Sequence, residues 1–500
     1  MSAAADGDTV LVCPGTYVEN IDFKGKAITV RSVAGPAVTV LDGNAADSVV
    51  MFASGEGPGS ILDGFTIRNG RSGFDTPGFG DGGGVRIANA SPSIRGNVIV
   101  SNQACSGAGI SIRFGSPAIE SNTIADNLQT GCSGGTGGGG IAVVGNSTAV
   151  IRGNVISHNV LTSADGGGIA LFAAGSPTIA LNIISGNTAS GLSPCAQGGG
   201  ISMVNQSDAT IAGNLIVGNR AGCGGGVYWL VPSGARGPQL TNNTLADNDS
   251  PVGSGVFADG FDVAALLTNN IVVAHAGQTA VFCGDFNDLN APLFRFNNVW
   301  SASGIPYGGT CADQTGVSGN ISADPLFVNS AAGDYHLLPN SPSVDVGDNG
   351  AGALPAIDLD GDPRVLDGDG DGLAVVDMGA DEVAGVQAPL TVVVDVKPGS
   401  RRNTVNPRSK GMLAVAILTT KTFDAMAVNA STVRFGPASA VPARARFRDV
   451  NADGLPDLLL QFRVPTTGIA CGATDVSLSG ETLDGRAIQG SDVLRTVGCR

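Results

Sequence analysis

One feature constrains this chain above all others: an asparagine that recurs before a short β-branched or apolar run. The series reads NVI at Asn97, NTI at Asn122, NVI at Asn154, NII at Asn182, NLI at Asn214, NTL at Asn243, NIV at Asn270 and NVW at Asn298, with offsets of 25, 32, 28, 32, 29, 27 and 28 residues. A second series lies five residues on, at Asn102, Asn127, Asn159, Asn187, Asn219 and Asn248, with His275 in the next slot. A third is a glycine cluster leading into Val85, Ile110, Ile141, Ile169, Ile201, Val227 and Val256. Three interleaved series with one shared period mean structural repeats.

Each repeat holds three short runs, for instance GIALFA, PTIA and NIIS, separated by glycine, serine, proline or asparagine. Runs this short are strands rather than helices. A unit of about 28 residues cannot bury its apolar side alone, so successive units stack, and the isoleucines at matching positions line a continuous core. The fold class expected is all-β: a parallel β-helix with three strands per coil and about ten coils, spanning residues 1–330. Asparagine tolerates left-handed backbone at tight corners and can hydrogen-bond to its copies above and below, so both series read as ladders. The glycines suit sharp turns and close packing, not a phosphate cradle, because a P-loop occurs once and ends in GK[ST].

These residues resemble the bacterial right-handed parallel β-helix repeat proteins of the pectate-lyase-like superfamily. The opening GDTVLVCPGTYVENIDFKGKAITVRS is similar to their first coils, and the resemblance continues to about Val328. SPSVDVGD, IDLDGDPRVLDGDGDG and VDMGADE resemble the ends of exported β-helix proteins that carry a C-terminal surface-anchoring region. The resemblance implies an extracellular or cell-surface location. It identifies architecture and not chemistry.

Nine cysteines without a CxxC pair argue for disulfides over zinc ribbons. Stacking brings Cys105 to Cys132 and Cys195 to Cys223, while Cys283 with Cys311 and Cys471 with Cys499 complete four local bridges. Cys13 is the expected orphan. No apolar run approaches a membrane span, and the start MSAAADGDTV has no signal-peptide pattern, so an N-terminus truncated from a secreted protein is the expectation. A formal charge of −16, with no lysine between Lys26 and Lys397, excludes the basic footprint that nucleic acid needs. A monomer with a polysaccharide or surface glycan as partner is expected.

The carboxylates cluster late in the chain and favour a divalent cation. Asp449, Asn451, Asp453 and Asp457 form DVNADGLPD, whose alternating oxygens around a glycine turn can wrap Ca²⁺. The position at which an EF-hand carries its last acid is Leu460, so the loop instead resembles the shorter calcium loops of integrin-type propeller repeats. Residues 331–388 form an acidic β-helix end or linker. Its Asp367, Asp369, Asp371 and Asp377 are a second candidate calcium set, against the alternative of a solvated linker partly neutralised by Arg364. From residue 389 the period disappears, and alternating runs such as LTVVVDV, MLAVAILTT and DLLLQF indicate a C-terminal β-sandwich over 389–500.

Catalysis finds little support. Lyases of this architecture need a lysine or arginine base beside a neutralised uronate, and hydrolases need converging carboxylates. The pectate-lyase WIDH motif and the polygalacturonase NTD, DD, GHG and RIK signatures do not occur. Arg71 and Arg86 among the early arginines, with Asp81 and Asp165 before GGG turns, are the candidates for an active site. His158, His275 and His336 are isolated in sequence. Two readings remain: a noncatalytic glycan-binding or structural scaffold stabilised by calcium, and a polysaccharide lyase or glycoside hydrolase whose site sits on the long loops at residues 71–81 or 131–139.

Overall fold

A computed structural model describes residues 3–73, 81–129, 136–163, 165–190, 195–385, 389–483 and 485–499. Contacts divide the chain into two units: residues 1–369 with 373–385, and residues 370–372 with 386–500. The described residues are all-β, with only three short 3-10 turns.

The first unit is a β-helix of three parallel eleven-stranded sheets. Sheet A runs from Thr9–Val12 to Leu293–Arg295, sheet B from Gly15–Val18 to Asn298–Trp300, and sheet C from Ile21–Asp22 to Ile305–Gly309. One coil therefore reads Ile169–Phe172 in sheet C, Thr178–Ala180 in sheet A and Ile183–Ser185 in sheet B. A fourth, five-stranded sheet of two-residue strands, including Thr188–Ala189, joins B to C in the middle coils.

Alternation decides the inside. In sheet C, Ile141, Ile169 and Ile201 are direct register partners and are fully buried, as are Ile151, Ile179 and Ile211 in sheet A and Ile156, Ile184 and Ile216 in sheet B. Each such side chain contributes about 1.5 to 3 kcal/mol by leaving water.

The asparagines form two buried ladders along the coils. The Oδ1 of Asn182 accepts from the backbone N–H of Asn154 at 2.9 Å and from its Nδ2 at 3.0 Å. Its Nδ2 donates to Ile151 O at 2.9 Å and to Asn214 Oδ1 at 2.9 Å. Asn187 repeats the pattern with Asn159, Ile156 and Asn219. Two details differ from the sequence reading. The rung after Asn270 is Asn297, not Asn298, and the ladder continues to Asn320; Asn298 lies in the sheet B strand opposite Ile271 and donates to Ser343. The second ladder ends at Asn248, because the next slot holds His275, which has no amide oxygen to accept from it; the backbone N–H of His275 donates to Ser254 Oγ.

The left-handed corner is also displaced by one residue. Positive φ belongs to the residue before each rung, for example Leu181 (φ 54°) before Asn182 and Gly186 (φ 64°) before Asn187. The asparagine is selected for its two-donor, two-acceptor amide, and its neighbour carries the turn. At the glycine cluster only Gly166 has positive φ, at 79°. Gly167 and Gly168 are small for a different reason: a Cβ there would stand 2.4 and 2.6 Å from the carbonyl oxygens of Gly199 and Gly200 in the next coil.

Of the expected disulfides, Cys195–Cys223, Cys283–Cys311 and Cys471–Cys499 are formed. Cys105 is disulfide-bonded, and its expected partner Cys132 lies outside the described residues. Cys13 is free and exposed.

The second unit is a small sandwich. Sheets of four strands each, one containing Met412–Leu418 and Asp457–Arg463 and the other Asp475–Thr482 and Ala487–Val493, share a core that includes Val415, Phe435, Leu460, Phe462 and Leu478.

Candidate functional site

The outer face of sheet C carries two columns of side chains. One, by register, is Arg113, Val144, Phe172, Val204, Leu230 and Asp259, an apolar strip with a cation and an anion at its ends. The other holds Ser111, Ala142, Ala170 and Ser202 and then the aromatics Tyr228, Phe257 and Phe282. Its first members are small because the leading glycine turn folds back over them: a Cβ on Gly166 would meet Ala170 Cβ at 2.7 Å. The three rings stack on successive coils at centroid distances of 5.2 and 5.3 Å. Phe114 and Phe172 stay on the surface, 62% and 39% exposed.

The catalytic candidates do not meet here. Asp81 is buried and gives both oxygens to Arg113, through Nη2 at 2.9 Å and through Nε. Asp165, whose carboxyl is pushed up by burial, accepts the Gln197 amide at 2.9 Å. The glycine turns that follow them are three coils apart, about 14 Å at the spacing of neighbouring strands, whereas paired glycosidase carboxylates stand about 5 to 9.5 Å apart. Arg86 lies beside Ser111 in sheet C, and its Nε and the Ser111 Oγ are buried without a protein partner. Arg71 is exposed in the fourth sheet opposite Gln103. Residues 74–80 of the first long loop and 131–135 of the second lie outside the described residues.

The acidic segment packs on the turn between sheets A and B. Asn242 Nδ2 donates to Asp377 O at 2.7 Å, and Asn269 exchanges hydrogen bonds with the Asp348 backbone at 2.8 and 3.1 Å. At its centre, buried Arg364 donates to the carbonyls of Asp377 and Gly379, both at 3.0 Å, and lies 3.5 Å from Glu382. Burial pushes Asp377 up to about 7 and Glu382 up to about 8. The four candidate calcium ligands are thus separated in role. Asp367 and Asp369 converge with Asp345, their oxygens within 4.8 Å of one another. Asp371 is exposed, while the Asp377 carboxylate accepts the amides of Asp345 and Val383, both at 2.7 Å.

In the second unit, the carboxylates of the 449–457 loop shape the loop itself. Asp449 accepts from Ala452 and Gly454, Asn451 Oδ1 from Asp453 N, and Asp453 from Leu455. Asp457 is buried and accepts from Thr419 at 2.9 Å and Val450 at 3.0 Å, tying the end of the loop to the neighbouring strand.

Sequence reasoning missed one cluster. His336 is not isolated: its Nδ1 lies 2.5 Å from Asp334 Oδ1 and its Nε2 2.6 Å from Asp360 Oδ2, with Asp381 alongside. The Asp334 hydrogen bond raises the imidazole to about 9, against the opposing effect of burial and with help from Asp360 and Asp381. A cavity of about 160 Å³ adjoins it, lined also by Ile183, Leu215 and Tyr335, whose hydroxyl donates to Asp247 at 2.7 Å. The available signal was the D-x-H spacing of Asp334 and His336, which puts both on one side of a strand.

No helix among the described residues is long and apolar enough to cross a membrane. No curated protein and no solved structure matches the chain. The family described as "Right handed beta helix region" matches residues 62–230 and 140–320, a span that holds most of the stacked coils and every asparagine of both ladders. The chain therefore belongs to the right-handed β-helix family.

Proposed function

We propose that the protein is a secreted or surface-attached, noncatalytic scaffold that binds glycan along the outer face of sheet C. The observation that carries this reading is the strip from Arg113 to Asp259, with Phe172 exposed on it and Phe114 exposed beside its Arg113 end, its ring over Gly145. Six coils at about 4.8 Å spacing make a flat surface about 24 Å long. Exposed rings offer faces on which sugar rings stack, and the terminal Arg113 and Asp259 supply polar contacts. A formal charge of −16 disfavours a polyanion, so a neutral polysaccharide is the expected ligand class. The disulfides are compatible with an oxidising, extracellular setting.

Affinity electrophoresis in gels containing neutral or acidic polysaccharides tests the proposal. The parent protein should be retarded by a neutral polymer, and Phe114→Ala/Phe172→Ala should lose at least tenfold in affinity. Unsaturated products from a polyuronate panel, above a heat-killed control, would refute the noncatalytic reading.

Calcium belongs to the same proposal. The oxygen-only donor set of Asp449, Asn451 and Asp453 suits this ion, with Asp457 fixing the loop end, and Asp345, Asp367 and Asp369 are a second such set. Thermal melts with and without a calcium-selective chelator should differ; superimposable curves would count against it.

A further inference from the structure

We infer that His336, Asp360 and Asp381 are ligands of a divalent transition metal of the Zn²⁺ class, with Asp334 orienting the histidine. This site is independent of the glycan face. Its ligand atoms come from three separate segments of the first unit, the strand Asp334–Leu337 and the loops around 360 and 381, and all lie within 4.8 Å of one another. The convergence is built by groups other than the ligands. Buried Asp358 accepts the amides of Asp360, Gly361 and Asp362 at 3.0, 2.8 and 2.8 Å through one oxygen, and the amide of Glu382 at 3.1 Å through the other. One side chain thereby ties the Asp360 loop to the Asp381 loop. The Leu337 amide joins the strand to Asp381 Oδ2 at 3.0 Å. Sites held by such supporting bonds keep their ligands in place before a ligand arrives.

The donor types select the metal. Ca²⁺ requires six to eight oxygens, whereas one imidazole nitrogen and two carboxylates, with a position left open, suit Zn²⁺ and its neighbours. Asp334 at Nδ1 supplies the carboxylate–histidine arrangement, and the ion takes the place of the proton that Nε2 shares with Asp360, which is released to solvent on binding. Tetrahedral bonds of about 2.0 to 2.2 Å put ligand atoms about 3.3 Å apart. The 2.6 Å separation of Nε2 and Asp360 Oδ2 must therefore open by less than about an ångström, and both side chains are half-exposed and can rotate. The remaining position adjoins the cavity lined by Ile183, Leu215 and Tyr335, which gives a small ligand or water access.

The test uses the full chain, dialysed against chelator and titrated with Zn²⁺ alone by calorimetry, then with Co²⁺ by visible absorption. One saturable equivalent is expected, with the Co²⁺ spectrum of a low-coordinate nitrogen and oxygen site. His336→Ala and Asp360→Asn should abolish that equivalent while melting as the parent does without metal. Asp334→Asn should keep the stoichiometry and weaken affinity about 10- to 100-fold. Excess Ca²⁺ should leave Zn²⁺ bound. Absence of saturable binding by the parent, displacement by Ca²⁺, or undiminished binding by His336→Ala would overturn the assignment.

Discussion

Replacing Asn182 by leucine isolates what a ladder rung contributes. The native amide is fully buried and makes four hydrogen bonds: two accepted from Asn154, one donated to Ile151 O and one to Asn214. At about 0.5 to 1.5 kcal/mol net each, the four are worth about 4 kcal/mol, and the Asn154 N–H loses its acceptor, which costs about 1 to 3 more. Burying the leucine side chain returns about 2 kcal/mol, so a net loss of roughly 3 to 5 kcal/mol is expected. Asn248 provides an internal scale, because it ends its ladder and its Nδ2 donates only to Ile216 O. Asn248→Leu should lose less, by roughly one hydrogen bond, about 1 kcal/mol. Solenoids need not unfold in one step. Amide hydrogen exchange is therefore the assay of choice, with Asn154 as the reporter, supported by urea denaturation. If Asn182→Leu exchanges and denatures as the parent does, or if Asn248→Leu is the more damaging, the ladder argument is wrong.

Other outcomes follow from the same structure. Asp262 is buried and accepts from Trp229 Nε1 at 3.0 Å; burial, opposed by that bond, pushes its carboxyl up to about 7. Because the folded value lies above the unfolded one, the contribution to stability is complete below about pH 4 and is lost as pH rises through about 7. In a Trp300→Phe background, Trp229 fluorescence should titrate near pH 7, and Asp262→Asn should abolish the transition. Gly166→Ala should destabilise by more than Gly277→Ala: both have positive φ, but only at Gly166 does the new Cβ strike Ile169 O and Ala170. Chemical denaturation should separate the two by about 1 to 3 kcal/mol; equal losses would show that the turn has room.

The coils were legible because each repeat writes the same instruction many times. Inward isoleucines, glycine turns and rung asparagines recur at matching positions, so an error at one place is corrected by its neighbours. The misassigned last rung shows the limit. At Asn297 and Asn298 two asparagines stand together, and only strand register decides which amide faces the ladder. The His336 cluster was illegible for the opposite reason. Its groups occur once each, at positions 334, 336, 360 and 381, and nothing local announces that Asp358 will draw two of the loops together. The candidates Arg71, Arg86, Asp81 and Asp165 were chosen by residue type, which does not reveal that Asp81 is neutralised by Arg113.

The ladders have a direction. Each interior rung gives its backbone N–H and one Nδ2 bond to the Oδ1 of its C-terminal neighbour and receives the same two from its N-terminal one, so each ladder is a hydrogen-bonded polymer with a head at the Phe65 or Gly70 amide and a tail at Asn320 or Asn248. A polymer of identical links can be lengthened anywhere along its interior. Duplicating the 28 residues from one rung to the next, as between Asn154 and Asn182, would add a coil whose amides meet the same partners on both sides. The fold can therefore lengthen by whole coils, and with it the outer face of sheet C, without inventing a single new contact.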